Sequence, residues 1–212
     1  MSSLLDAVCT LERQGRFAQA LNTVQTLLTC EPPCLDQAAL ALAGGRCALK
    51  QGGLQGYRTA ESYFDRARTL YEQLAQWDMV AIVIAEKAMG AVQCGVTHAL
   101  QTALKQLDEA EACQQEANVQ VAATIAHYRA VVYDCLGEKA HAFEYFTRAY
   151  DLFQHHPGQA ANVLDDLGAY YMSLGKPHLA RSCYTQAIAK KTAIGDVWPG
   201  SDLWAFGKIV SG

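Results

Sequence analysis

Histidine and acidic side chains are the residues of this sequence that could transfer protons or bind a metal. His141 and Glu144 are three residues apart, which would place both on one face of a helix. A zinc hydrolase that binds its metal through two histidines of one helix needs the second histidine four residues after the first, and His141 has no such partner. Neither do His127, His155 and His156. We interpret all four as helix-surface or capping residues, and the sequence predicts no metal site.

Eight cysteines could form disulfides or bind a metal, and they are spread over the whole chain. Only Cys30 and Cys34 lie close together, on either side of two prolines, and no second close pair follows that would complete a zinc ribbon. With 51% hydrophobic residues in 212, the chain has enough apolar material to fold without disulfides. We interpret the cysteines as small hydrophobic residues of a reduced protein, with oxidation of Cys30 and Cys34 left open.

Three other patterns that could support catalysis also lack the residues or the geometry of a catalytic site. The glycine-rich segment 51–56 lacks the Lys-Ser/Thr pair of a phosphate-binding loop. Asp165 and Asp166 are consecutive, so on a helix they point about 100° apart and cannot act as a carboxylate pair. The Gly-x-Ser-x-Gly motif of α/β-hydrolases does not occur. The sequence therefore predicts a protein that is not an enzyme and needs no cofactor.

Charge and hydropathy exclude two further classes of function. The net charge is −4, and neither sign forms a long block. A protein that follows a phosphate backbone is normally basic, so we expect no nucleic-acid partner. The first residues lack the pattern of a secretion signal, and no apolar run reaches the roughly 20 residues of a membrane span. We expect a soluble cytoplasmic protein.

A repeat places most of these residues on helices. Four pairs of similar residues lie 38 positions apart: Gly137 and Gly175, Ala142 and Ala180, Phe146 and Tyr184, and Ala149 and Ala187. The small residue of this pattern also occurs at Ala20, Ala60 and Ala103, at intervals of 40, 43 and 39 up to Ala142. A period of this size indicates a repeat architecture. It predicts an all-α single domain, 1–212, with helical pairs at about 1–33, 34–76, 77–117, 118–157 and 158–195 and a terminal helix at 199–212.

The pattern resembles the tetratricopeptide (TPR) repeat. The resemblance depends on Leu167-Gly168, Tyr171, Gly175, Ala180, Tyr184 and Ala187, and on Gly15, Ala20 and Pro32 in the first repeat. It implies a right-handed α-solenoid of antiparallel helix pairs. The repeats here are 38 to 43 residues long instead of about 34, as in long-repeat variants that regulate or scaffold signalling.

The resemblance also implies a peptide-binding groove lined by the first helix of each pair. Its predicted side chains are Arg13, Arg46, Lys50, His127, Asp134, Asn162, Asp165 and Lys208. Leu5 and Cys9 stand where chaperone-binding members have a lysine and an asparagine, which argues against that ligand. Arg46 and Lys50 favour an acidic stretch of peptide. The alternative, that these charges only solvate helix surfaces, stays open.

The last residues carry an apolar surface that a terminal repeat would not be expected to expose. Trp198, Trp204 and Phe206 are the predicted interface residues. We expect either a fragment of a longer array, which we prefer, or a homodimer through this C-terminal end.

The predicted function is a protein- or peptide-binding scaffold or adaptor. The alternative is a regulatory or oligomerisation segment of a larger signalling or transcription-control protein.

Overall fold

The computed structural model describes residues 3–96, 98–114 and 118–195. Within these residues, every regular element is an α-helix, and there are ten. They are α1 (Ser3–Arg13), α2 (Phe17–Thr29), α3 (Cys34–Gln51), α4 (Gly53–Gln73), α5 (Trp77–Gln93), α6 (Ala99–Cys113), α7 (Val119–Leu136), α8 (Lys139–Leu152), α9 (Pro157–Ser173) and α10 (Pro177–Ala193). We call the odd-numbered helices first helices and the even-numbered ones second helices. The predicted all-α class is confirmed.

The short connections between paired helices explain why each pair folds back on itself. At the end of α7, Gly137 has φ 82°, in the left-handed region that favours glycine. Its amide donates to the Asp134 carbonyl at 3.0 Å, and the Glu138 amide donates to the Tyr133 carbonyl at 2.9 Å. This pair of bonds is the Schellman motif, which satisfies the last carbonyls of a helix and turns the chain. The motif also ends α4, but there an alanine, Ala75, has φ 53°.

The repeating alanines hold the helices together. Ala20, Ala60, Ala103, Ala142 and Ala180 are all completely buried on the second helices. Glycines on the first helices allow a similarly close approach. A Cβ added to Gly45 would lie 2.4 Å from Cε1 of Phe64, and one added to Gly168 would lie 2.6 Å from Cε1 of Tyr184. In both pairs, the aromatic ring of the second helix therefore packs directly on the backbone of the first.

The helices group into two compact units, Met1–Val121 (unit 1) and Ala122–Gly212 (unit 2). In a repeat array each repeat contacts only its neighbours, so one continuous array can also divide into two groups of helices. The single domain over 1–212 therefore stays a prediction. In unit 1, α5 packs against α3, α4 and α6, which explains why its sequence is apolar nearly all round.

Unit 2 has an aromatic core. Phe146 and Phe153 are buried with alanines from α7, α8 and α9 and with Tyr170. Its helices α9 and α10 share a second cluster around Leu164 and Cys183. Among the described residues, no helix has the length and apolar character that a membrane crossing requires.

Candidate functional site

Charged side chains gather on the first helices of unit 1. We call the surface that carries Glu12, Arg13, Arg46, Lys50 and Glu86 the charged face. Its residues belong to α1, α3 and α5, and α3 packs against both of the other two helices. Arg13, Arg46 and Lys50 are exposed, as expected for side chains that could contact a ligand.

The Arg46 guanidinium is held by an ion pair between repeats. Its Nε and Nη2 atoms donate to Oε1 of Glu86 at 3.0 and 2.8 Å. The Glu86 side chain is only 14% exposed, whereas 45% of the Arg46 side chain is accessible. Glu86 therefore fixes the arginine in place without covering it. The two residues are 40 positions apart, the same interval that separates Ala20 from Ala60, so a shift by one repeat would have found this pair in the sequence.

Glu12 is a partly buried carboxylate within the charged face. Burial raises its pKa, and the nearby Glu86 carboxylate acts in the same direction, whereas a hydrogen bond from Cys47 and the charges of Arg46 and Lys50 lower it. The Cys47 thiol donates to Glu12 Oε1 at 3.4 Å. Burial raises the pKa of Cys47 above that of an ordinary thiol, so this cysteine is a poor nucleophile.

In unit 2, three of the predicted groove residues bind other side chains of the same unit. His127 is 7% exposed, and its Nε2 atom lies 2.7 Å from Oδ2 of Asp166, so the interpretation of this histidine as a surface or capping residue is wrong. Asp134 accepts a bond from Lys139 Nζ at 2.5 Å, and Lys139 also donates to Ser173 Oγ at 2.9 Å. These contacts fix α7 against α8 and α9.

The two consecutive aspartates of α9 face different helices, as their spacing predicted. Asp166 pairs with His127 of α7, whereas Asp165, the third of these groove residues, accepts a bond from Lys191 Nζ of α10 at 2.5 Å. The Lys191 and Asp165 side chains are 14% and 12% exposed, so this ion pair is largely hidden from solvent. Asn162, one turn earlier on α9, is exposed. That these residues bind a peptide stays a prediction.

Several sequence predictions concern residues outside the described part of the chain. Lys208 of the predicted groove and the predicted interface residues Trp198, Trp204 and Phe206 lie there, so the homodimer through the C-terminal end stays a prediction. Among the described residues, no group of three or more His, Cys, Asp or Glu side chains could hold a metal ion.

Sequence reasoning missed an apolar cleft in unit 2. It lies between α8 and α10, over α9, and its volume is about 330 Å³. The lining residues are Phe143, Thr147, Tyr150, Leu164, Leu167, Tyr171, Leu179, Ser182, Cys183 and Gln186. The signal was present in α8, where Phe143, Thr147 and Tyr150 have the spacing of one helix face, beside the buried alanine stripe.

Comparison with known proteins identifies the fold. No protein-family model and no curated protein matches the sequence. Among solved structures, the chain is similar to TTC0263, described as a thermophilic TPR protein in Thermus thermophilus, with a TM-score of 0.68 and 21% identity. The match covers 98% of this chain and 96% of that one. BtubC (BKLC) from P. vanneervenii matches with a TM-score of 0.58 and 18% identity, over 100% of this chain and 84% of that one.

These two likenesses, with ten helices packed in consecutive pairs among the described residues, show that the chain has the fold of a TPR protein. The resemblance predicted from the alanine and glycine positions is confirmed at the level of the fold.

Proposed function

We propose that this chain is a protein- or peptide-binding scaffold that holds its partner on the first helices. The observation that carries the proposal is the charged face of unit 1. An exposed arginine is fixed there by a partly buried glutamate of the next repeat, and an exposed lysine lies one turn away on the same helix. A side chain that is held in place before binding loses less conformational freedom when it contacts a ligand.

The charges of this face favour an acidic segment of the partner. Arg13, Arg46 and Lys50 provide three cations, against the carboxylates of Glu12 and Glu86, in a chain whose net charge is −4. Burial also favours the neutral form of Glu12 by raising its pKa. Arg46 is already in an ion pair with Glu86. Lys50 is therefore the cation that an acidic ligand can contact without competing with that ion pair.

A pair of labelled peptides tests the proposal. One is a peptide of about ten residues rich in glutamate, and the other has lysine in place of each glutamate. We expect fluorescence anisotropy at low salt to show binding of the acidic peptide only. Lys50→Glu should weaken this binding about tenfold, because it reverses a charge in contact with the ligand.

Lys105→Glu is the matched control. Lys105 is an exposed lysine of the same unit, but it lies on the second helix α6. The variant changes the net charge equally and should leave the affinity within about twofold of the parent chain. If both variants weakened the acidic peptide to the same extent, only the net charge would matter and the charged face would not be the site.

We also propose that the scaffold works in the cytoplasm. All eight cysteines are free thiols, and Cys30, Cys34 and Cys135 are exposed, a state that a reducing compartment preserves. Thiol titration of denatured protein from its native host should give eight reactive groups per chain. A disulfide in that material would contradict this location.

A further inference from the structure

The cleft of unit 2 is lined by the second helices α8 and α10 and by the first helix α9, and none of the predicted groove residues is among its lining residues. Its floor comes from α9, where Leu164, Leu167 and Tyr171 contribute, and its two walls come from α8 and α10. At about 330 Å³ it has the size of a small ligand-binding cleft, and it is open to solvent. It can therefore receive a few side chains of a larger partner.

The wall contributed by α8 includes an exposed aromatic ring. Phe143 is 44% exposed, although its ring stacks on Tyr170 with a centroid distance of 6.2 Å and lies 6.5 Å from the ring of Tyr171. These contacts hold the ring at the mouth of the cleft. An exposed, positioned aromatic beside an apolar floor is the usual composition of a binding hot spot.

The rim of the cleft is polar and, along α10, basic. Thr147, Ser182 and Gln186 are exposed side chains of the rim. Lys190 is the cation that α10 places at this rim, because Lys191 is paired with Asp165, and α10 has no aspartate or glutamate. Lys190 Nζ lies 5.8 Å from the centroid of the Tyr150 ring, which places this cation at the cleft itself.

The α8 side of the rim carries one cation and two carboxylates, a net charge of −1. Glu144, Arg148 and Asp151 lie there, beside Phe143 and Thr147 on the adjoining surface of the helix. The two sides of the rim therefore differ in sign, and the positive charge lies on the α10 side, at Lys190. A partner that complements this cleft needs apolar side chains for the floor and carboxylates for the α10 rim.

We propose that this cleft is a second binding site and that it takes an acidic amphipathic helix of a partner protein. The partner helix lies between α8 and α10, with apolar side chains at positions i, i+3 or i+4, and i+7 directed at Leu167 and Tyr171. Its carboxylates face Lys190. The proposal rests on this cleft alone and does not depend on the charged face of unit 1.

The test uses a labelled synthetic peptide of about 16 residues, with leucines along one helical face and glutamates elsewhere. We expect it to bind with a Kd of roughly 10–100 μM. Two further peptides control for its chemistry. One carries lysine in place of every glutamate, and the other has the same composition with the leucines dispersed around the helix. Neither should bind measurably at about 1 mM.

Two variants of the full chain locate the site. Phe143→Ala removes the exposed ring, and Lys190→Glu reverses the cation beside Tyr150. Each should weaken the leucine–glutamate peptide at least about fivefold. The matched controls are Leu54→Ala, another exposed apolar residue, and Lys105→Glu, another exposed lysine. Both controls lie in unit 1 and should leave the affinity unchanged. Circular dichroism melting curves identify any variant that is destabilised.

Three results would overturn the proposal. The first is no binding at about 1 mM, or equal binding of the lysine peptide. The second is a loss of affinity in Lys50→Glu but not in Lys190→Glu, because the peptide would then bind the charged face. The third is concentration-dependent self-association, measured by sedimentation and abolished by Phe143→Ala, because the occupant would then be a second copy of this chain.

Discussion

Units 1 and 2 share one helical repeat but use their charged side chains differently. In unit 1, the cations Arg13, Arg46 and Lys50 are exposed on first helices, and the partly buried partner of Arg46 is a glutamate. In unit 2, the lysine of the Lys191–Asp165 pair is itself almost covered. The repeat can therefore display a cation to solvent on a first helix, or use a cation of a second helix to join two helices. Binding surfaces cannot be transferred from repeat to repeat by position alone.

Aromatic side chains distinguish the two units in a second way. Phe143, Tyr170 and Tyr171 of unit 2 lie together at a cleft between second helices. In unit 1, the first helices α3 and α5 are in direct contact, because a Cβ on Gly90 would lie 2.8 Å from the Leu49 side chain. The charged face of unit 1 and the apolar cleft of unit 2 are therefore built differently.

The ion pairs give the largest expected difference between the units. Lys191→Met breaks the ion pair with the largely buried Asp165 carboxylate, and we expect it to lower the free energy of unfolding by about 3 kcal/mol. Arg46→Met breaks a pair whose arginine is 45% exposed, and we expect a loss of about 1 kcal/mol or less. Urea unfolding at neutral pH measures both. A larger loss in Arg46→Met would reverse the comparison.

Replacing the closely packed glycines with alanine should lower stability by a similar amount in each unit. Gly45→Ala in unit 1 and Gly168→Ala in unit 2 both place a methyl group within 2.6 Å of a buried aromatic ring. We expect each to destabilise the chain by about 1–3 kcal/mol, because the ring or the helix must move. Gly158→Ala is a milder control, since its Cβ would meet only the Ile194 side chain at 3.2 Å. Unchanged melting temperatures in both variants would contradict the close packing.

Local sequence pattern was sufficient for the fold. The buried alanines at Ala20, Ala60, Ala103, Ala142 and Ala180 define the register, because only a small residue permits such close helix crossings. The third pair was harder to place, since α5 is buried on several sides and its sequence has no polar stripe to orient it.

The candidate sites were less accessible to sequence reasoning, because a side chain's partner lies one repeat away. His127 is buried against Asp166, 39 positions later. The surface interpretation failed for this histidine because it considered only neighbours on the same helix. Asp165 contacts Lys191 within its own helical pair, 26 positions later, and no motif in either helix marks that contact.

A pH dependence should arise in unit 1 from Glu12. Burial raises the pKa of this carboxyl in the folded chain above its ordinary value of 4.5. Between these two pKa values the unfolded state releases the proton first, so Glu12 lowers stability as the pH rises through that window. Glu12→Gln should therefore stabilise the chain at pH 7 and have little effect at about pH 3.5, below the unfolded pKa. Urea unfolding at both pH values measures the difference.

The control for this prediction is Asp6→Asn, which removes one negative charge from an exposed position of the same helix. It separates the local effect of burial from a change in net charge. If Asp6→Asn reproduced the stabilisation at pH 7, the effect would belong to the net charge and not to Glu12.

The smallest expected effects concern the turns that end α4 in unit 1 and α7 in unit 2. Both turns have Schellman hydrogen bonds, but unit 1 uses Ala75 at φ 53° where unit 2 uses Gly137 at φ 82°. A left-handed conformation costs an alanine about 1–2 kcal/mol, whereas glycine adds roughly 0.4–1 kcal/mol of entropy to the unfolded chain. Ala75→Gly should therefore stabilise the protein by about 0.5 kcal/mol, and Gly137→Ala should destabilise it by a similar amount or slightly more. Thermal unfolding of the two variants gives opposite signs if backbone strain decides the outcome. If both changes destabilised the chain, Ala75 would owe its place to side-chain contacts that glycine loses, and the two turns would differ in more than their residue type.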